Sequence, residues 1–139
     1  MGTDIRPELS EKNRYWIERH RYYELKHFCL QYPLWKKAYH MLDGLGRNSE
    51  FLSSFPKISE ISDPTQRCAT ARIFFSERIQ MIDQVAYETD PVLSRYILKG
   101  VTQGIRYDYL RINDDIPCCK DVYYELYRRF FWLLSKARN

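Results

Sequence analysis

The chain has 139 residues, of which 45% are apolar, 16% aromatic and 29% charged, a balance that excludes a disordered or collagen-like protein. No apolar run reaches the roughly 18 residues that a membrane-spanning helix needs, and the N-terminus lacks a secretion-signal pattern. The net charge of +4 is small, but residues 118–139 carry five basic and only two acidic side chains. We therefore expect a cytoplasmic protein, without membrane contact, whose positive surplus lies at the C-terminal end.

Apolar side chains near the N-terminus predict a helical hairpin. Ser10 is a suitable N-cap for its first helix. The apolar positions of this helix recur every three, four or seven residues: Tyr15, Tyr22, Leu25 and Cys29. Pro33 interrupts the pattern, and a second set follows at helical spacing: Trp35, Ala38, Tyr39 and Leu42. Residues 43–62 lack periodicity, so we predict an N-terminal part (1–62) and a C-terminal part (63–139).

A long central helix is predicted for residues 64–89. Asp63 is a suitable N-cap, and Pro64 fits the first helical position, where proline is well tolerated. The apolar stripe of this helix has steps of three and four: Cys68, Ala71, Phe75, Ile79, Ile82 and Ala86. The stripe is wider than one flat contact needs. It therefore has two interpretations, an ordinary core helix or a seam between two copies at Phe75, Ile79 and Ile82.

The C-terminal part has the order of a helix-turn-helix module. Asp90 and Pro91 repeat the cap-then-proline signal and begin a helix that ends at Gly104. A helix of barely two turns follows, and the last helix opens near Cys118 or Cys119 and runs to about Ala137. Together these patterns predict an all-α fold with an N-terminal hairpin, a long central helix and a C-terminal helix-turn-helix.

The last helix presents a polar face opposite its aromatic stripe, which is formed by Tyr123, Tyr127 and Phe130 and continued by Leu134. The side chains on that face could enter the major groove of DNA while the stripe stays packed: Lys120, Asp121, Tyr124, Glu125 and Arg128. Arg129, Lys136 and Arg138 suit phosphate contacts. The alternative is an ordinary solvated face, because cations near a helix C-terminus also complement the helix dipole.

A resemblance supports the DNA-binding interpretation. Residues 91–136 (PVLSRYILKGVTQGIRYDYLRINDDIPCCKDVYYELYRRFFWLLSK) resemble the region-4 helix-turn-helix of sigma-70 factors, and more closely the phage late-gene transcriptional regulators of the ArpU/RinA group. The resemblance implies that Lys120, Asp121 and Tyr124 occupy base-reading positions. It also implies that Arg128 and Arg129 form the basic pair beside the DNA backbone.

Two departures from the sigma-type pattern concern the turn and the cap. Asp114 and Asp115 stand where an apolar residue and a glycine usually precede the isoleucine, and Arg106 stands where a serine or threonine cap is usual. Two carboxylates beside a groove-facing helix would repel phosphate unless they point away.

Neither catalysis nor metal binding is indicated. The histidines His20, His27 and His40 lack a carboxylate that would complete a ligand set. The cysteines have no metal-ligand spacing and are expected to be reduced, small apolar residues: Cys29, Cys68, Cys118 and Cys119. We expect no enzyme activity and no cofactor.

The sequence therefore predicts a sequence-specific, DNA-binding transcription regulator of phage or prophage origin. Its expected partners are duplex DNA, host RNA polymerase or another host protein, and a second copy of the chain. The alternative is a small mobile-element protein that binds and inhibits a host protein, as anti-CRISPR proteins do, through its aromatic helical surfaces.

Overall fold

Six α-helices account for most of the described chain, and the described residues contain no β-strand. The computed structural model describes residues 13–42 and 64–139. The helices are α1 (Arg19–Leu30), α2 (Tyr32–Leu42), α3 (Pro64–Thr89), α4 (Ser94–Gln103), α5 (Tyr107–Asn113) and α6 (Lys120–Ala137). The all-α prediction is confirmed. None of the described helices is long and apolar enough to cross a membrane.

Helix α1 begins later than the sequence pattern predicted. The predicted cap, Ser10, lies outside the described residues, and residues 13–18 form a turn and an extended segment. The carboxylate of Glu18 accepts hydrogen bonds from the backbone N–H groups of His20 (2.7 Å) and Arg21 (3.0 Å). Because a carboxylate satisfies the otherwise unpaired first N–H groups of a helix, Glu18 fixes the start at Arg19.

The described residues group into two compact units that differ from the predicted boundary after residue 62. One unit contains residues 13–31 and 81–139, and the other contains residues 32–42 and 64–80. The physical reason is that the buried face of α1 packs against α4 and α6, which come from the C-terminal part of the chain. The two helices predicted as a hairpin, α1 and α2, consequently belong to different units.

The predicted seam on α3 consists largely of core positions. Phe75 is 3% exposed, Ile82 is fully buried and Ile79 is half-buried. Side chains that already lie inside one chain cannot supply the apolar area that a second copy would bury. We therefore correct the dimer-seam interpretation at Phe75 and Ile82, and the stripe is core, which was the other interpretation of the pattern.

The unit that contains residues 32–42 and 64–80 pairs α2 with the first part of α3. Its α2 buries four residues at helical spacing: Tyr32, Trp35, Ala38 and Leu42. The guanidinium of Arg72 on α3 lies over the Tyr39 ring, 5.2 Å from the ring centroid, and donates to the Tyr39 hydroxyl at 3.3 Å. The helical spacing predicted for residues 35–42 is confirmed.

The core of the other unit is formed by α1, α4 and α6. The fully buried apolar side chains on these three helices include Leu25, Ile97, Phe130, Phe131 and Leu134. Each contributes about 1.5–3 kcal/mol by leaving water. Phe131 was not among the predicted stripe residues, yet its ring meets Tyr22 of α1 edge-on at 5.2 Å. The aromatic stripe of α6 is thus wider than predicted.

Helix α4 has the predicted stop, but it begins at Ser94, later than predicted, with Leu93 at the N-cap and no side-chain cap bond, and Asp90 holds the turn that precedes it. The carboxylate of Asp90 accepts from the N–H groups of Val92 (2.9 Å) and Leu93 (3.0 Å). At the other end, Gly104 has a left-handed φ of 67°, which glycine adopts without steric cost. Ile105 then donates its N–H to the Gly100 carbonyl at 3.2 Å, which closes the helix and starts the chain toward α5.

Gly100 permits a close approach between α4 and α6. A Cβ at this position would lie only 2.0 Å from the hydroxyl of Tyr123. That hydroxyl is buried without a hydrogen-bond partner among the described residues, and burial raises the pKa of Tyr123 far above its ordinary value. The contact is possible only because glycine has no side chain, and it packs the beginning of α6 against α4.

Candidate nucleic-acid interface

The connection from α5 to α6 turns at a residue with left-handed backbone. Asp115 has a φ of 53°, the only positive value among the described non-glycine residues. Aspartate tolerates this conformation better than most residues, although glycine is favoured there. Ile116 follows, is fully buried, and donates its N–H to the Leu110 carbonyl at 3.3 Å. Asp115 thus adopts the backbone conformation that a glycine commonly adopts in the turn of a helix-turn-helix. The turn itself, residues 114–119, is longer than the usual three or four residues.

Two side-chain contacts fix this turn. The ammonium of Lys99 on α4 lies 2.7 Å from a carboxylate oxygen of Asp114. The hydroxyl of Tyr107, at the start of α5, donates to the carbonyl of Cys118 at 2.6 Å. Because each contact joins a helix to the turn that follows α5, the first residues of α6 have a defined position relative to α4 and α5. The Asp114 charge is also neutralised by its ion pair.

The beginning of α6, residues 120–125, forms what we call the exposed end of the helix. Lys120 and Asp121 are exposed, and Tyr124 is half-buried with its ring 5.1 Å from that of Tyr123. Lys120 makes no ion pair with any described residue. No side chain caps the helix at Cys119, so the N–H groups of the first turn face outward with the positive end of the dipole.

A shallow groove of about 510 Å³ lies beside the exposed end. It is lined by Tyr107, Arg111, Pro117, Cys118, Cys119 and Lys120. Two cations, Arg111 and Lys120, therefore flank the start of α6. Arg111 was not predicted as a site residue. Tyr107 and Leu110 are the buried residues of α5, and Arg111 directly follows Leu110 but is exposed. The position of Arg111 next to these two apolar residues is the sequence feature that could have identified it.

The four cysteines differ in exposure. Cys29 and Cys68 are buried, Cys118 is half-buried and Cys119 is exposed, and all four are free thiols. Burial raises the pKa of the Cys29 thiol well above its usual range. Burial and the neighbouring Cys119 and Asp90 also raise the pKa of Cys118. The part of the chain that the structure describes has no group of three or more residues able to hold a metal ion.

The remainder of the helix, residues 126–138, forms what we call the clasped end. Arg21 of α1 donates to the carbonyl oxygens of Ser135 (2.8 Å) and Arg138 (2.9 Å), and to the Ser135 hydroxyl at 3.1 Å. These bonds satisfy carbonyls that the end of a helix leaves unpaired. The hydroxyls of Tyr22 and Tyr127 lie 2.9 Å apart, which adds a polar link between α1 and α6. The clasped end is therefore fixed to α1.

The predicted phosphate-binding residues lie on the clasped end and contact their own chain. Arg128 forms an ion pair with Glu125 at 3.5 Å, and only 24% of its side chain is exposed. Arg129 donates to the hydroxyl of Tyr15 at 3.2 Å. The ammonium of Lys136 lies 3.4 Å from the centroid of the Trp132 ring. Among the predicted residues, Lys120, Asp121 and Lys136 are exposed, and Tyr124, Arg128 and Arg129 are half-buried. Arg128, Arg129 and Lys136 all have partners inside the chain.

Residues 13–18, which we call the N-terminal strap, cover part of the outer face of α6. Tyr15 is 6% exposed, and its ring lies 5.4 Å from that of Trp132. The side-chain oxygen of Asn13 accepts from the Tyr15 N–H at 2.8 Å, which holds the strap in a local turn. Helical spacing predicted Tyr15 on the stripe of α1 and gave no sign of this contact, because nothing local to residue 15 indicates a partner 117 residues away.

No family model matches the chain, and neither a curated protein nor a solved structure is significantly similar to it.

Proposed function

We propose that the chain binds duplex DNA through α4, α5 and α6 and regulates transcription as a protein of phage or prophage origin. The observation that carries the proposal is the left-handed turn at Asp115, followed by buried Ile116 and by an α6 whose first residues are exposed. A helix-turn-helix protein reads DNA with the N-terminal residues of its second helix. The exposed end of α6 supplies such residues.

In this proposal the exposed end enters the major groove. Lys120 and Tyr124 approach base edges, with Asp121 beside them, because these side chains project from the first turns of α6. Arg111 and Arg128 flank them and suit phosphate oxygens. Arg129 and Lys136 can contact the DNA backbone only if they give up their contacts with Tyr15 and Trp132.

The acidic turn does not oppose this arrangement as strongly as the sequence suggested. The carboxylate of Asp114 is paired with Lys99 and only a quarter of its side chain is exposed. Of the two turn aspartates, only Asp115 is exposed. The exposed carboxylates of Asp115 and Asp121 are matched in number by the nearby cations Arg111 and Lys120, so these four charges sum to zero and leave no net repulsion toward phosphate.

The test is a binding titration on fluorescently labelled phage promoter duplexes at low and moderate salt. The starting protein should bind, and its affinity should fall linearly on a log–log plot against salt. Lys120→Ala should weaken binding by about 1–3 kcal/mol, mainly on the preferred sequence. Circular dichroism of the variant is the control for folding. A folded protein that binds no duplex at tens of micromolar would overturn the proposal.

A second candidate function is inhibition of a host protein, in the manner of anti-CRISPR proteins. The observation that favours it is the exposure of three apolar side chains on the module itself: Ile112 (81%), Tyr109 (50%) and Val122 (46%). DNA-contacting surfaces are more often polar and basic. A pull-down from host lysate separates the two functions. Capture that survives nuclease treatment and is lost with Ile112→Glu would support a protein partner.

A further inference from the structure

The N-terminal strap brings one more cation to the outer face of α6. The Nη2 atom of Arg14 lies 3.3 Å from the Oε2 atom of Glu125, although the two residues are 111 positions apart. The Arg14 side chain is 74% exposed. Arg128 reaches the other carboxylate oxygen of Glu125 at 3.5 Å. Glu125 therefore lies between two guanidinium groups, and the three side chains together carry one net positive charge.

The Arg14 ion pair has little value for folding. An exposed pair of long side chains gains little Coulomb energy in water and loses conformational entropy when it forms. Such a pair can exchange its carboxylate for a phosphate at small cost, and arginine binds phosphate in a bidentate fashion. A residue with these properties, beside the first two turns of α6, is suited to contact DNA.

We infer that Arg14 contacts a phosphate of the bound duplex, so that the strap forms part of the DNA interface. This inference rests on the proposed function. Arg14 would extend the interface across the outer edge of α6, next to the residues proposed to enter the groove. The two ion pairs also explain how an acidic residue, Glu125, can lie on the DNA-facing side of α6, because Arg14 and Arg128 neutralise its carboxylate.

Tyr15 is the positioning residue for Arg14. Its ring is buried against Trp132, its hydroxyl accepts from Arg129, and the Arg14 guanidinium lies over the ring, 4.7 Å from the centroid. Stacking on a fixed ring restricts the guanidinium to the side of α6 that carries Glu125. Removing the ring should therefore act on DNA binding through Arg14.

The experiment measures duplex affinity between 50 and 200 mM KCl for the full-length protein and its variants. Arg14→Ala should lower the slope of log affinity against log salt by about 0.9, so that the loss over this fourfold range becomes about 3.5-fold smaller. Arg19→Ala removes the same charge from the exposed start of α1 and should change the slope less. Tyr15→Ala should lower the slope as Arg14→Ala does, and combining the two should add nothing further. Tyr15→Phe keeps the ring and should leave the slope unchanged.

The outcomes separate the inference from the function on which it rests. If Arg128→Ala lowers the slope and Arg14→Ala does not, the inference is overturned while DNA binding stands. Equal effects of Arg14→Ala and Arg19→Ala would also overturn it, because they would show only general attraction. If the starting protein binds no duplex, both fail. A folded Tyr15→Ala that keeps the full slope would remove Tyr15 from the positioning role.

Discussion

The two ends of α6 carry similar residue types but differ in what those residues contact. At the clasped end, Arg128 and Arg129 contact Glu125 and Tyr15, and Arg138 lies 4.1 Å from the centroid of the Phe28 ring. At the exposed end, Lys120 has no ion pair with any described residue, and Arg111 lies across the groove. The positive surplus of residues 118–139 is therefore concentrated where it serves the fold.

This difference shows that a count of cations does not measure a binding surface. Arginine stems bury readily, and their guanidinium groups stack on rings and bind carbonyls. In a chain with 12 tyrosines and 3 tryptophans, aromatic partners for cations are abundant. The exposed cations that remain for DNA include Arg111 and Lys120 near the turn and Arg14 of the strap.

The largest expected effect comes from disrupting the contact between Gly100 of α4 and Tyr123 of α6. Gly100→Ala should lower the free energy of unfolding by about 3 kcal/mol, because the new methyl group would collide with the Tyr123 hydroxyl. Chemical denaturation measures the change. Tyr123→Phe alone should be nearly neutral, since it removes a buried hydroxyl that has no partner among the described residues.

The double variant gives a sharper result. Gly100→Ala combined with Tyr123→Phe should recover much of the lost stability, because the nearest remaining ring atom lies 3.4 Å from the new Cβ. If the double variant is as unstable as Gly100→Ala alone, the Tyr123 hydroxyl is not the cause.

The next effect concerns the clasped end. Arg21→Ala should lower the free energy of unfolding by about 2 kcal/mol, since it leaves the last carbonyls of α6 without a charged donor. Thermal or chemical denaturation reports the loss, and Arg19→Ala is the matched control at an exposed site, with a change of about 0.5 kcal/mol or less. Equal losses for the two variants would show that the clasp contributes no more than ordinary surface charge.

The smallest effect concerns the turn that precedes the exposed end. Asp115→Gly should raise the free energy of unfolding by about 0.5 kcal/mol, because glycine adopts the left-handed φ with less strain but loses more entropy on folding. It should also strengthen duplex binding by removing an exposed carboxylate beside the groove. A clear loss of stability would mean that the Asp115 side chain has a structural role.

Local signals predicted much of the fold. Glycine at 104, proline at 64 and the apolar steps of α2 to α6 are features of single segments, and each produced a correct helix or boundary. The strap and the clasp depend on residues far apart in the sequence, such as Tyr15 with Trp132 and Arg21 with Ser135. Periodicity describes which face of a helix is apolar, but it does not identify the segment that covers the opposite face.

The candidate site was predictable in the same uneven way. The polar face of α6 follows from helical spacing, so Lys120, Asp121 and Tyr124 could be named from sequence. The partners of the cations on that helix could be predicted only in part. Glu125 and Trp132 lie one turn from Arg128 and Lys136 on the same helix, whereas the partners of Arg129 and Arg138 lie in the strap and in α1. Arg111 was not predicted, because the apolar pattern of the seven-residue helix α5 covers only two turns and was not used to assign the exposed face of that helix.

The most direct measurement uses the thiols to compare the two ends in one molecule. Cys119 is exposed at the N-cap of α6, and the Lys136→Cys variant adds an exposed thiol at the clasped end. Cys29 and Cys68 are buried internal references, and the raised pKa of Cys118 slows its reaction, because the thiolate is the nucleophile. Alkylation by a maleimide, followed residue by residue with mass spectrometry, is compared with and without duplex DNA. We predict that the duplex protects Cys119 and leaves the thiol introduced by Lys136→Cys reactive, whereas equal protection of both, or protection of the clasped end alone, would contradict the proposal that α6 binds DNA through its exposed end.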